Sequence, residues 1–138
     1  MDGSQINIFA VFLAALSSFM LGGLWYSPLL FGKAWMKETG LSEEATKNAN
    51  MIRTFSFAFI ASLVISINLA MFLDMFLGPE RTLETGLFYG FLAGFGWVAM
   101  AFIINDVFEQ RSFKLSLINA GYHTIAFTIM GGIIGVWH

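Results

Sequence analysis

Four long stretches without a charged side chain fill most of this chain, and they limit its possible folds more than any other feature. They cover residues 6–32, 54–73, 85–105 and 115–138, and run 27, 20, 21 and 24 residues. An α-helix rises about 1.5 Å per residue, so about 20 residues cross the roughly 30 Å hydrocarbon core of a bilayer. Each stretch is therefore long enough to span a membrane, and the segments between them are too short to fold as a soluble domain.

The composition indicates the same class of protein. Hydrophobic residues make up 57% of the chain and charged residues 12%, against roughly 45–50% and about 25% in soluble domains. The net charge of −2 argues against a nucleic-acid partner, because such surfaces are strongly basic. Cysteine is absent, which excludes disulfides, thiol catalysis and cysteine-ligated metal centres. We expect the lipid bilayer to be the main partner.

The spacing of the apolar stretches predicts an all-α fold. Short connections make successive helices antiparallel, so we expect an integral-membrane four-helix up-and-down bundle in a single domain, residues 1–138. The predicted spans cover about 6–30, 52–77, 84–105 and 115–137. No lysine or arginine precedes Lys33, so the first stretch lacks the basic flank of a signal peptide. We expect it to remain as the first span.

The first connection contains an amphipathic segment. Apolar side chains recur there at helical spacing with lysines opposite: Phe31, Trp35 and Met36 on one side, Lys33 and Lys37 on the other. This pattern predicts a short helix in the membrane interface. Pro28, just before it, predicts the end of the first span.

A second helix start follows in the same connection. Gly40 is a helix-stop residue, and Ser42 can cap a new helix whose first turn is acidic. No glycine or proline lies between Ser42 and Leu77. We therefore expect the second span to begin outside the bilayer and to run into it without a break.

The basic residues predict the orientation. Six of the seven lie in the first and third connections, and Arg81 alone lies in the second; the six are Lys33, Lys37, Lys47, Arg53, Arg111 and Lys114. Basic residues favour the cytoplasmic side of short-looped membrane proteins. We expect a protein of the bacterial inner membrane with both termini periplasmic, and with acidic residues such as Asp2 on that outer side.

Small residues mark packing faces on the third and fourth spans. They recur at helical spacing and are Gly86, Gly90 and Gly94 on the third span, and Gly121, Thr124, Thr128, Gly131 and Gly135 on the fourth. Small residues let helix backbones approach closely in lipid. We expect one face to pack within the bundle and the other against a second copy, giving a homo-oligomer, with the assignment of the two faces open. The alternative is that the glycines let a pore or a substrate pass near the backbone.

The candidate binding interior consists of neutral side chains, since no Asp, Glu, Lys or Arg lies near the middle of a span. Proton-coupled pumps commonly have an ionisable residue at that depth. The candidates are the polar and aromatic residues within the spans: Asn68, Trp97, Asn119, Tyr122 and His123. Asn119 and His123 are four residues apart and share a helix face. The structural alternative for each is a hydrogen bond or packing contact that aligns two helices.

His123 is the strongest of these candidates, because an imidazole changes charge near neutral pH and binds metals and haem. We expect no metal and no cofactor, with a haem held by His123 of two copies as the alternative. His138 lies about 22 Å along the helix from His123, so one chain cannot bring both to one metal ion.

The other aromatic residues divide by depth. Four lie near span ends, where an aromatic belt is expected: Trp25, Tyr26, Trp35 and Trp137. Trp97 lies near the middle of its span and, with Tyr122, either lines an aromatic pocket or packs between helices.

Several segments resemble a known family. The string WYSPLLFGKAW at residues 25–35 is the most specific, and GLFYGF at 86–91, AGYH at 120–123 and MGG at 130–132 accompany it. Together they resemble the signature of a bacterial membrane family catalogued as domain of unknown function seventeen-sixty-one. The resemblance covers nearly the whole chain. It implies a four-helix inner-membrane protein of unassigned activity and supplies no catalytic residues.

These observations favour a non-enzymatic function. We expect an oligomeric carrier, a channel-like protein or a small-ligand-binding bundle whose polar interior includes Asn68, Asn119 and His123. The first alternative is a membrane-embedded enzyme or redox subunit that uses His123 as acid, base or axial ligand. The second is an assembly partner of another membrane protein. No span contains paired carboxylates or a recognisable nucleophile and base, which argues against an enzyme.

Overall fold

The structure, a computed structural model, describes residues 6–138, and every regular element in that range is helical. The long helices are α1 (Ile8–Trp25), α4 (Met51–Leu77), α5 (Leu83–Ala93), α6 (Met100–Phe108) and α7 (Phe113–Val136), and the short ones are α2 (Gly32–Thr39) and α3 (Glu43–Asn48). A 3₁₀ turn, Gly78–Glu80, follows α4, and a π-helical segment, Gly94–Ala99, joins α5 to α6. Asp2 and its expected position on the outer side lie outside the described residues.

Four helical units are long and apolar enough to cross a membrane. They are Ile8–Trp25, Met51–Glu80, Leu83–Phe108 and Phe113–Val136. The prediction of an all-α membrane bundle with a short helix after the first span is confirmed. The units alternate in direction, so the bundle has two ends. We call the end with residues 26–50 the connection end, and the end where α4 and α7 finish the terminal end.

The central helix of the bundle is α7, which packs against α1 on one side and α5 on the other, while α4 packs mainly on α1. The core consists of small and aliphatic residues from these helices, including Val11, Ala14, Leu69, Ala70, Ala126, Met130 and Ile134. Lipid is as apolar as these side chains, so their packing stabilises the bundle through close contact rather than removal from water.

The turn after α1 forms as its residues predict. Helix α1 ends at Trp25, and the backbone N–H of Phe31 donates to the carbonyl oxygen of Trp25 over 3.0 Å, which folds the chain back around Pro28. Helix α2 ends at Thr39 and is capped by Gly40, whose φ of 75° is readily adopted by glycine. The Ser42 hydroxyl accepts from the backbone N–H of Ala45, at 2.9 Å, and caps α3.

The prediction that the second span begins at Ser42 and runs unbroken is wrong. Helix α3 ends at Asn48, and Ala49 is extended, with φ −65° and ψ 148°. The Asn50 side chain then accepts from the backbone N–H of Arg53 and begins α4. An asparagine that bonds to the backbone in this way competes with the helix and starts a new one. The break needs neither glycine nor proline.

The predicted glycine faces pack against each other within one chain. A Cβ placed on Gly86 would overlap the carbonyl oxygen of Gly131, and a Cβ on Gly131 would overlap that of Gly86. A Cβ on Gly90 would lie 3.1 Å from the Cα of Gly131. We call Gly86, Gly90, Gly94, Gly131 and Gly135 the glycine seam. Both faces are used inside the bundle, so the seam does not leave one of them for a second copy as we expected.

Of the remaining small residues on α7, Thr124 borders this contact, since a Cβ on Gly94 would lie 3.1 Å from its Cα, whereas Gly121 contacts α1 instead. A Cβ on Gly121 would lie 3.2 Å from the indole of Trp25 on α1. Thr124 and Thr128 donate their hydroxyls to carbonyl oxygens one turn earlier on α7, over 2.8 and 2.7 Å. Each hydroxyl thus makes its hydrogen bond within its own helix, and this lets threonine occupy a membrane span.

An ion pair closes the terminal end. Arg81, only 3% exposed, donates from Nη1 to the carboxylate of Asp74 and to the carbonyl oxygen of Gly78, both over 2.9 Å. Its Nε donates to the carbonyl oxygen of Ile134 in the last turn of α7, over 3.4 Å. Arg81 thus joins the end of α4 to the end of α7. From the sequence, Arg81 was identified only as the basic residue of the second connection.

Candidate functional site

A cleft of about 750 Å³ lies at the connection end, between α1, α4 and α7. Helices α2 and α3 contribute to its wall through Trp35, Ala45 and Thr46. Within residues 6–138, the lining residues come from five helices and include no Asp, Glu, Lys or Arg. The volume lies in the range of about 300–1,000 Å³ that is typical of small-molecule sites.

The cleft exists because the first half of α4 is not packed closely against α1 and α7. All the buried residues of α4 lie in the later part of the helix, from Ser62 onward, where the Ser66 hydroxyl donates to the carbonyl oxygen of Val11 over 2.7 Å. Nearer the connection end, Phe19 of α1 meets Phe55 of α4 edge to face, with ring centroids 5.6 Å apart. Small side chains bring the helices together at one level, and aromatic rings hold them apart at the other.

The exposure of α4 shows which side of the cleft is open. Phe55 and Met51 line the cleft and are 48% and 40% exposed. Ala58 lines the same wall and is also exposed. The α4 side of the cleft therefore opens to the surroundings of the bundle, whereas the α7 side is formed by half-buried residues.

Hydrogen bonds from aromatic side chains join the end of α1 to α7 in and beside the cleft. The Tyr26 hydroxyl donates to Oδ1 of Asn119 over 2.7 Å, and the Tyr122 hydroxyl donates to the carbonyl oxygen of Ser18 over 2.8 Å. The Trp25 indole donates to the carbonyl oxygen of Ile118 over 3.0 Å. These bonds fix the register of the two helices, because each aromatic group reaches across to one residue of the facing helix.

Glycine makes room for this network at one position. A Cβ on Gly22 would lie 3.2 Å from the Tyr122 hydroxyl oxygen. Tyr26 packs edge to face with both Trp35 and Tyr122, with ring centroids 5.6 Å apart in each pair. The result is a continuous aromatic wall from the interfacial helix α2 to α7.

His123 lies on the α7 wall with its ring held by its neighbours. The imidazole stacks on Phe102 of α6, with centroids 4.9 Å apart and planes 21° from parallel, and meets Tyr122 at 4.8 Å. Among the hydrogen bonds formed within residues 6–138, none involves a ring nitrogen of His123 or the Nδ2 amide of Asn119. Both side chains line the cleft, so these groups can bond to a molecule bound there.

The structure brings together three of the five predicted site residues. Asn119, Tyr122 and His123 line the cleft. Asn68 is exposed on α4 and does not line it. Trp97 is 64% exposed in the π-helical segment, beside Phe72 at 5.9 Å, and lies outside the cleft as well.

Sequence reasoning missed Tyr26 and Trp35 as cleft residues, because their positions near a span end are typical of an aromatic belt. The signal was available in the string WYSPLLFGKAW, since a turn at Pro28 folds Trp35 back toward Tyr26. Ser18 and Ser62 also line the cleft. Their positions along the helices give no indication of this.

Ligands for a metal are sparse in the described chain. Residues 6–138 include no group of three or more His, Asp or Glu side chains placed to hold a metal ion. His138 lies at the opposite end of α7, with Nδ1 3.1 Å from the carbonyl oxygen of Gly135. One copy thus offers one imidazole at the cleft, and a haem shared by His123 of two copies stays the alternative to the prediction of no cofactor.

The fold and the cleft define a multi-pass helical membrane protein with an uncharged internal site. The chain belongs to the family described as protein of unknown function (DUF1761), whose model matches residues 9–135. The predicted family resemblance is confirmed. No curated protein and no solved structure matches the chain.

Proposed function

We propose that this protein binds a small, neutral, mainly apolar molecule in the cleft between α1, α4 and α7, as a carrier or a membrane-embedded binding protein. The observation that supports this most directly is the cleft itself, about 750 Å³, with an aromatic wall and two unpaired polar groups, on His123 and Asn119. Pockets that combine a large apolar surface with a few convergent polar groups are typical ligand sites.

The lining indicates the charge of the ligand. A charged group is costly within a membrane without a partner of opposite charge, and the described lining of the cleft, from residues 18–127, includes no Asp, Glu, Lys or Arg. A neutral ligand can place its polar end against His123 and Asn119 and its apolar part along Phe55 and Ala58. The exposed α4 wall gives such a molecule a route from the lipid.

Binding fits the site better than catalysis. The serine hydroxyls that line the cleft are engaged: Ser18 lies 3.2 Å from the Tyr122 hydroxyl, and Ser62 donates to the carbonyl oxygen of Ala58 over 2.9 Å. Neither is paired with His123, as an activated nucleophile would be. No carboxylate from the described part of the chain lines the cleft to orient the imidazole.

Native mass spectrometry of the protein ejected from membrane vesicles tests the proposal. We expect a retained molecule whose bound fraction falls about fivefold in His123→Ala and in Asn119→Leu, because each variant removes one hydrogen bond to the ligand. Trp97→Phe, outside the cleft, is the control and should retain the ligand. A wild-type protein that carries no molecule, or a molecule retained equally by all four proteins, would contradict it.

We also propose the inner membrane as the location, with the connection end in the cytoplasm. This orientation places six of the seven basic residues on the cytoplasmic side. A single cysteine replacing Lys37 should react with an impermeant maleimide only when the cytoplasmic face is opened. Labelling of this cysteine in intact cells would show that the connection end faces outward and would contradict the proposed orientation. We also propose that the protein forms a homo-oligomer. The residues that support this lie on the outer face of α4 and not in the glycine seam.

A further inference from the structure

The outer face of α4 contains an exposed asparagine inside the apolar region. Asn68 is exposed, and no hydrogen bond within residues 6–138 involves its side chain. It lies about 7 Å from the midpoint of the uncharged stretch 54–73, within the roughly 15 Å half-thickness of the hydrocarbon core. A carboxamide at that depth loses the hydrogen bonds it would make in water, unless another helix supplies them.

The residues around Asn68 form a regular stripe. Exposed side chains follow α4 at alternating spacings of four and three, and they are Phe57, Ala61, Val64, Asn68, Met71 and Met75. Phe57, Val64, Met71 and Met75 are 66%, 53%, 49% and 74% exposed. This heptad spacing is the pattern by which two parallel helices pack along a shared seam. We call these six residues the α4 stripe.

The α4 stripe is separate from the surfaces already in use. The buried residues of α4 face α1 and α7, and include Ser66, Leu69 and Leu73. Among the residues that line the cleft, only Ala61 belongs to the stripe. A partner helix can therefore lie along the stripe without displacing any helix of the bundle.

We propose that the α4 stripe is a symmetric interface at which a second copy of this chain docks, with the two Asn68 side chains hydrogen-bonded to each other. A carboxamide both donates and accepts, so it complements itself across a two-fold axis. Two copies in the same membrane orientation present their α4 helices in parallel, which places each Asn68 opposite its counterpart. A single asparagine at such a seam position specifies register and the number of helices.

The cysteine-free chain allows a direct test. Single cysteines replacing Val64 or Met71 should form disulfide-linked dimers in membranes when copper phenanthroline passes the two thiol electrons to dissolved oxygen, which also takes up the two protons. Phe88→Cys, at an exposed position on α5, is the matched control and should remain monomeric. Equal cross-linking at all three positions, or cross-linking only to a protein of different mass, would overturn the interface.

A variant at Asn68 tests whether this side chain itself stabilises the dimer. Asn68→Leu should raise the dimer dissociation constant about tenfold in detergent titrations, because it removes the paired hydrogen bonds. The matched control is Asn105→Leu, which replaces an exposed asparagine on α6 that lies off the stripe and should leave the dimer unchanged. Circular dichroism should show the same helix content in both variants. A dimer that forms equally well with Asn68→Leu would overturn the role of Asn68.

Discussion

The two ends of the bundle are built on opposite packing principles. At the terminal end, α5 and α7 touch backbone to backbone along the glycine seam, and Arg81 joins α4 to α7. At the connection end, aromatic rings such as Phe19 and Phe55 keep α1 and α4 apart, and a cleft of about 750 Å³ remains. The comparison teaches that side-chain volume at the contact level decides whether neighbouring membrane helices close or leave a site. The terminal end is closed by direct contacts, and the connection end contains the open cleft.

The largest effect should come from adding one methyl group to the seam. Gly86→Ala places a Cβ on the carbonyl oxygen of Gly131, and a backbone cannot move aside as a side chain can. We expect a loss of about 3 kcal/mol in the free energy of unfolding, measured in mixed micelles with a denaturing detergent. Gly23→Ala is the control, since a Cβ there meets nothing within 4 Å. Equal stabilities for the two variants would contradict the backbone contact.

The second largest loss of stability should come from removing the ion pair at the terminal end. Arg81→Met keeps the length of the side chain but leaves Asp74 without this cation, and we expect a loss of about 2 kcal/mol in the same assay. Arg111→Met removes the cation of an exposed pair with Glu109 and should cost less than about 0.5 kcal/mol. If both variants lose the same amount, Arg81 does not join the two helices as described.

Filling the cleft should have the smallest effect on stability and a full effect on binding. Ala58→Phe adds a ring to an exposed wall of the cleft, so we expect a change within about 0.5 kcal/mol in unfolding free energy. The same variant should carry no bound molecule in native mass spectrometry. Retention of the ligand would show that it binds elsewhere. A loss of stability as large as that of Gly86→Ala would remove the contrast between the two ends.

The site was less predictable than the helices, and two asparagines show why. Asn68 and Asn119 look alike as polar residues within apolar spans, and both were candidates for the same interior. The structure turns Asn119 toward Tyr26 in the cleft and leaves Asn68 on the outer face. Which way a residue points depends on the rotation of its helix about its own axis. In lipid every face of a span is apolar, so hydrophobic periodicity does not reveal that rotation.

Local residues alone were enough for the spans, the end of α1 before Pro28, the stop at Gly40 and the cap at Ser42. A bilayer requires every backbone group to be bonded within its own helix, so length and apolar character are sufficient to place a span. Tertiary contacts were needed to pair the two glycine faces within one chain, to bury Arg81 and to open the cleft beside His123. These contacts depend on which helices pack together and at which level along their axes. Both are decided by how well entire helix surfaces fit each other, which no single segment of sequence determines.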